Sequence, residues 1–185
     1  YDVIWRVYHA LMSVGSALVI TLSPFIARVL MQRQFYSAWP LISILVLAFY
    51  LSAINNFLGT IYQAYMRTKP LLVATVVGAV ACLAFTAVLV HDWGISAAAF
   101  GVFVGSLVIF VVRVIDVRRL MSINMRPIPT AITMTLLTVQ SLVTSNQCNH
   151  YLFWSSICLL LIAFVQCYEL KPLITLIFTR RKYTA

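Results

Sequence analysis

Residues 127–168 contain no charged side chain, a run of 42 positions. At about 1.5 Å of rise per residue, such a run is roughly twice the ~30 Å of a bilayer's hydrocarbon core. A polar knot, TSNQCNH at 144–150, sits near its middle. Two membrane crossings joined by a tight connection account for both features. The rest of the chain reads the same way, with charge-free stretches over 7–27, 34–66, 70–90 and 93–112. In hydrocarbon every backbone polar group needs an internal partner, which favours helices. Long unbroken apolar runs, instead of ten-residue alternations, argue against a β-barrel. The expected fold is all-α, a polytopic membrane helix bundle of about six transmembrane helices, near 7–30, 38–65, 70–90, 94–116, 127–145 and 151–168.

Composition excludes a soluble domain. Hydrophobic residues make up 63% of the chain and charged residues 9%, against about half and a quarter in soluble domains. The chain begins at Tyr1 without a basic region before a short apolar segment, so no signal peptide is expected and it reads as a fragment of a longer polypeptide. The net charge of +9 lacks the basic, aromatic-interleaved stretches that would suggest nucleic acid. Cys82, Cys148, Cys158 and Cys167 have no metal-ligand spacing.

Charge placement sets an expected orientation. With Arg6 in the cytoplasm, alternating crossings put 11 of the 13 basic residues there, including Arg67, Lys69, Arg113, Arg118, Arg119, Arg126, Lys171 and Arg180 to Lys182. Arg28 and Arg33 fall near the outer surface. The segment after Glu169 reads as a basic tail along the inner face.

Two packing signals stand out. Ala97, Gly101 and Gly105 recur every four residues, as do Ala74, Gly78 and Cys82. Small residues at this spacing let helices approach closely. Pro24 is expected to bend the first helix. Within the second helix, Ser52, Asn55, Asn56, Gly59 and Gln63 fall inside an arc of roughly 100°. Polar groups facing lipid are costly, so this face is expected to look inward, either lining a substrate pathway or joining helices as structural glue. Arg28 is expected to snorkel to the interface, with an anion contact as the alternative. Thr133, Gln140 and Thr144 share a side of the fifth helix and read as packing. His9, His91 and His150 are scattered. No catalytic constellation, metal cluster or cofactor site can be assembled, and no enzymatic activity is expected.

Two stretches carry a resemblance. Residues 35–69, FYSAWPLISILVLAFYLSAINNFLGTIYQAYMRTK, and residues 78–112, with VLVHDWGISAAAFG, together resemble the C-terminal half of polysaccharide biosynthesis flippases of the multidrug/oligosaccharidyl-lipid/polysaccharide exporter superfamily. The matching positions are Tyr36, Ala38, Trp39, Asn56, Tyr62, Gln63, Ala64, Lys69, Gly94, Ile95, Ala97 and Ala98. The chain departs from the pattern at Cys82 and Thr86, where the family often has asparagines, and at His91 and Ser96. The resemblance implies the last six helices of a fourteen-helix transporter: residues 1–116 as C-terminal-lobe helices, 117–126 as a cytoplasmic loop, 127–168 as two additional helices and 169–185 as a basic tail.

It further implies flipping of a lipid-linked oligosaccharide repeat unit across the cytoplasmic membrane for surface polysaccharide biosynthesis. The implied partners are a polyprenyl-pyrophosphate-linked oligosaccharide, membrane lipids and an N-terminal lobe of the same polypeptide, without nucleic acid. Candidate pathway residues are Asn55, Asn56, Gln63, Ser52 and Arg28. Alternatives are a multidrug exporter of the same superfamily or a membrane-embedded enzyme of envelope assembly. The enzyme is disfavoured by the short outer connections at 32–38, 91–93 and 145–150.

Overall fold

A computed structural model describes residues 2–30, 39–120, 127–145 and 151–183. The expected outer connection at 32–38 lies outside them, as do most of 145–150 with Cys148, and Tyr36, Ala38, Arg33 and Arg126. The described residues form six helices: α1 (Asp2–Leu30), α2 (Trp39–Ala64), α3 (Thr68–Trp93), α4 (Ile95–Leu120), α5 (Pro127–Ser145) and α6 (Tyr151–Tyr183). Five are long and apolar enough to cross a membrane, with mean hydropathies from 1.7 to 2.5. The chain is therefore an all-α, multi-pass membrane bundle.

The remaining helix, α5, is 19 residues long, close to the thickness of a hydrocarbon core. Four of its threonines, Thr133, Thr135, Thr138 and Thr144, donate to the carbonyl four residues back, which hides their hydroxyls in their own helix. Hydrogen bonds join Gln140 to Ala17 and Ser155, and Gln166 to Thr133. That register sets α5 parallel to α1, antiparallel to α6 and at the same depth as both.

α2 is the central helix, touching α1, α3, α4 and α5. Ile54, Leu58 and Ile61 are fully buried on it, and Ile20, Leu137 and Ile162 from α1, α5 and α6 belong to the same apolar core. The outside is as apolar as the core. On α3, Leu72, Val80, Leu83 and Val88 are all more than half exposed, as suits a lipid-facing helix that is hydrophobic all round.

The ends of the helices have local causes. α2 stops at a Schellman-type cap: Met66 N–H donates to Gln63 O at 3.1 Å and Arg67 N–H to Tyr62 O at 3.0 Å. Met66 takes the left-handed position at φ 54°, where glycine is usual and a side chain is strained. Gly94 alone connects α3 to α4, at φ 52° and ψ −129°, a conformation essentially reserved for glycine. The expected loop at 91–93 is therefore helical, and the turn is one residue long.

Two further boundaries differ from expectation. α4 continues beyond 116 to Leu120, which puts Arg118 in its last turn, where the helix dipole favours a cation. α6 runs 33 residues without a break at Glu169, so the backbone of the expected tail continues the same helix. Inside α1, Pro24 removes the N–H that Ile20 O would accept. Ser23 Oγ donates to that carbonyl instead, at 2.8 Å, and the helix continues to Leu30.

The small-residue signals pack as expected. α3 and α4 cross so closely at Gly78 and Gly105 that a Cβ on either would lie 2.9 Å from the other's carbonyl oxygen. Gly101 faces Thr86 and the Cys82 carbonyl in the same seam.

Candidate functional site

The polar arc of α2 does not act as one face. Taking Asn55 as zero, Gly59 lies at about 40°, Ser52 at 60°, Gln63 at 80° and Asn56 at 100°. The Asn55 edge turns into the bundle and the Asn56 edge turns out of it. Asn55 and Gly59 are buried and Ser52 is half-buried, whereas Asn56 and Gln63 are exposed. The expectation of a single inward face holds only for the first edge. The cause is geometric: α4 packs along one side of α2, and its contact is narrower than a 100° arc.

The buried edge is tied to α4. Asn55 Nδ2 donates to Ser106 O at 2.9 Å, and the Ser52 and Ser106 hydroxyls share a hydrogen bond of 3.2 Å. Tyr62 OH donates to Arg113 O at 3.3 Å. The guanidinium of Arg113 passes beside Gly59, donates from Nη1 to Asn55 O and from Nη2 to Thr75 Oγ1 on α3, and is only 6% exposed. Helical side chains tilt toward the N-terminus. On α4 that direction leads away from the basic end, so Arg113 reaches inward along α2. Charge counting placed Arg113 in the cytoplasm. Instead it fastens α2, α3 and α4 together within the span. Asn55 Oδ1 and Arg113 Nε are buried there without hydrogen-bond partners.

A second polar group lies between α1, α2, α5 and α6. Tyr50 OH and His9 Nε2 are 3.0 Å apart, and Gln166 Nε2 is 3.4 Å from His9 Nδ1. Gln166 Nε2 also donates to Thr133 Oγ1 at 3.1 Å. Thr133 has committed its own proton to Pro129 O, so it accepts here. Gln140 Nε2 lies 3.0 Å from Ala17 O, 3.0 Å from Thr21 Oγ1 and 3.1 Å from Ser155 Oγ. Carbonyl oxygens only accept, which fixes the orientation of this amide. His9, Gln140 and Gln166 are each at most 2% exposed. Local spacing leaves His9 isolated and gives no signal at Gln166 or Tyr50. Their partners lie 41 and 157 residues from His9 along the chain, beyond any local spacing rule.

Arg28 belongs to neither group. It is exposed in the last turn of α1. His9 is level with Tyr50 and the two helices are antiparallel, so Arg28 and Asn55 are roughly 35 Å apart along the bundle. Of the five candidate residues, Ser52 and Asn55 are brought together, Asn56 and Gln63 share an exposed edge, and Arg28 stands alone at the other end. No group of three or more metal-ligating side chains occurs among the described residues.

No family model, no characterised protein and no solved structure matches the chain.

Proposed function

We propose that this chain is the C-terminal part of a transporter that flips a lipid-linked oligosaccharide repeat unit across the cytoplasmic membrane. The observation that carries the reading is the exposed edge of α2. Asn56 and Gln63 are exposed on the central helix of the bundle, whose mean hydropathy is 2.0. Gln63 lies in the last turn of α2, near the membrane surface, but Asn56 lies two turns deeper, where an amide facing hydrocarbon is costly, so this edge calls for a polar neighbour beyond the chain. A wet cavity closed by an opposing N-terminal lobe supplies one, and sugar hydroxyls can bond to amides there. The nature of the cargo rests on the resemblance to the polysaccharide flippases. Transporters of this kind rock one bundle against another around a midplane site, and the Arg113 fastening would make α2, α3 and α4 move together.

The test is Asn56→Leu with Gln63→Leu in the full-length protein, beside Asn55→Leu alone. The double variant should melt normally in detergent and lose surface polysaccharide export several-fold or more. A polar group left unpaired as the cavity closes costs about 1–3 kcal/mol, a factor of ten for each 1.4 kcal/mol. Asn55→Leu should instead lower melting and export together, because Asn55 holds Ser106. Unchanged export in the double variant would remove the exposed edge from the mechanism. Loss of drug resistance with normal polysaccharide would favour the multidrug exporter.

A further inference from the structure

A cavity of about 160 Å³ opens between α4 and α5 at the end of the bundle where α1 and α5 begin and α4 finishes. Phe110, Val114 and Arg118 form one wall, four residues apart on one stripe of α4. Thr130, Ala131 and Met134 of α5 form the other, and Trp5 of α1 also lines it. α4 and α5 both pack on α2 but make no extended contact with each other among the described residues, which leaves the cleft between them. Its walls are apolar over most of their depth, and Arg118 in the last turn of α4 is exposed at the membrane surface.

We infer that this cleft holds an acyl chain of an anionic phospholipid, with the headgroup phosphate on Arg118. Charge complementarity selects this occupant. Arg6, Arg67, Lys69 and Arg118 all lie at this end of the bundle. Asp2, Asp116 and Glu169 also lie at this end, but no carboxylate among the described residues lines the cleft, and Asp116 is about 200° round α4 from Val114. A cation at the rim of an apolar cleft between membrane helices fits a lipid with a negative headgroup, because the chain fills the cleft and the phosphate meets the charge. The guanidinium can also pair with phosphate oxygens through two parallel hydrogen bonds. This inference does not depend on the transport reading.

Trp5 is 4% exposed and serves as a built-in reporter. The full chain would be reconstituted in phosphatidylcholine vesicles containing increasing fractions of brominated phosphatidylglycerol or brominated phosphatidylcholine. Bromine quenches tryptophan fluorescence on contact. The Trp5 component, obtained by subtracting the Trp5→Phe variant, should half-saturate at about fivefold less brominated phosphatidylglycerol than phosphatidylcholine, the factor expected from one basic side chain. Arg118→Gln, at an exposed position, should merge the two curves while leaving melting unchanged. Inorganic phosphate in the buffer should displace nothing.

Superimposable curves in the unaltered chain would mean ordinary lipid contact and would overturn the inference. So would headgroup preference that survives Arg118→Gln, or displacement by free phosphate. If Trp5→Phe does not fold, the comparison of total quenching between the unaltered chain and Arg118→Gln decides the question alone.

Discussion

The α3–α4 hairpin and the α1–α5–α6 cluster hold helices together by opposite means. In the hairpin the contact is steric. Gly78, Gly101 and Gly105 remove side chains so that backbones meet. In the cluster the contact is polar: Gln140 and Gln166 each bridge helices through hydrogen bonds. Lipid offers no hydrophobic drive between helices, so either close packing or hydrogen bonding must supply association. The difference lies in tolerance. A seam of glycines has no room to adjust, whereas an amide with several nearby oxygens can lose one and keep others.

The largest expected effect is therefore in the hairpin. A Cβ at Gly78 would meet Ile109 Cγ1 at 2.2 Å and Gly105 O at 2.9 Å. Gly78→Leu should cost about 3 kcal/mol, the upper part of the range for overpacking, seen as a large drop in melting temperature in detergent. A melting point near that of the unaltered protein would show that the seam opens easily, and the contrast with the polar cluster would fail.

A smaller loss is expected at Gln140. Replacing it with leucine removes its contacts to α1 and α6, but hydrogen bonds between membrane helices average only about 0.6 kcal/mol and reach about 1.7. Gln140→Leu should lower stability by about 1 kcal/mol in the same assay. A loss exceeding that of Gly78→Leu would reverse the ranking of the two regions.

The smallest effect sharpens the meaning of glycine. Gly15 on α1 has nothing within 4 Å of an added Cβ, because it lines an open groove between α1 and α2. Gly15→Ala should be neutral or stabilising by up to about 1 kcal/mol through helix propensity alone. Clear destabilisation would indicate that another body covers the groove.

Much of the architecture could be read from local pattern. Apolar runs located six helices, and the four-residue spacing of Gly101, Gly105, Gly78 and Cys82 located a close crossing. Thr133, Gln140 and Thr144 share a side of α5, a pattern that points to packing, and all three are buried. The failures concern relations between distant segments. Arg113 looked like a terminal charge because only its place in the sequence was visible, not the α2 carbonyl that receives it. His9 looked isolated because Tyr50 and Gln166 meet it only in the folded bundle. The split of the α2 arc into a buried and an exposed edge depended on the width of the α4 contact, which no periodicity encodes.

The repair at Pro24 bears on how the protein is made. A carbonyl stripped of its amide partner normally waits for a neighbouring helix or a water to satisfy it. Here Ser23 supplies the donor from the adjacent residue. α1 can thus leave the translocation machinery for the bilayer with this carbonyl already satisfied. The order in which later helices arrive then need not be timed to shelter it.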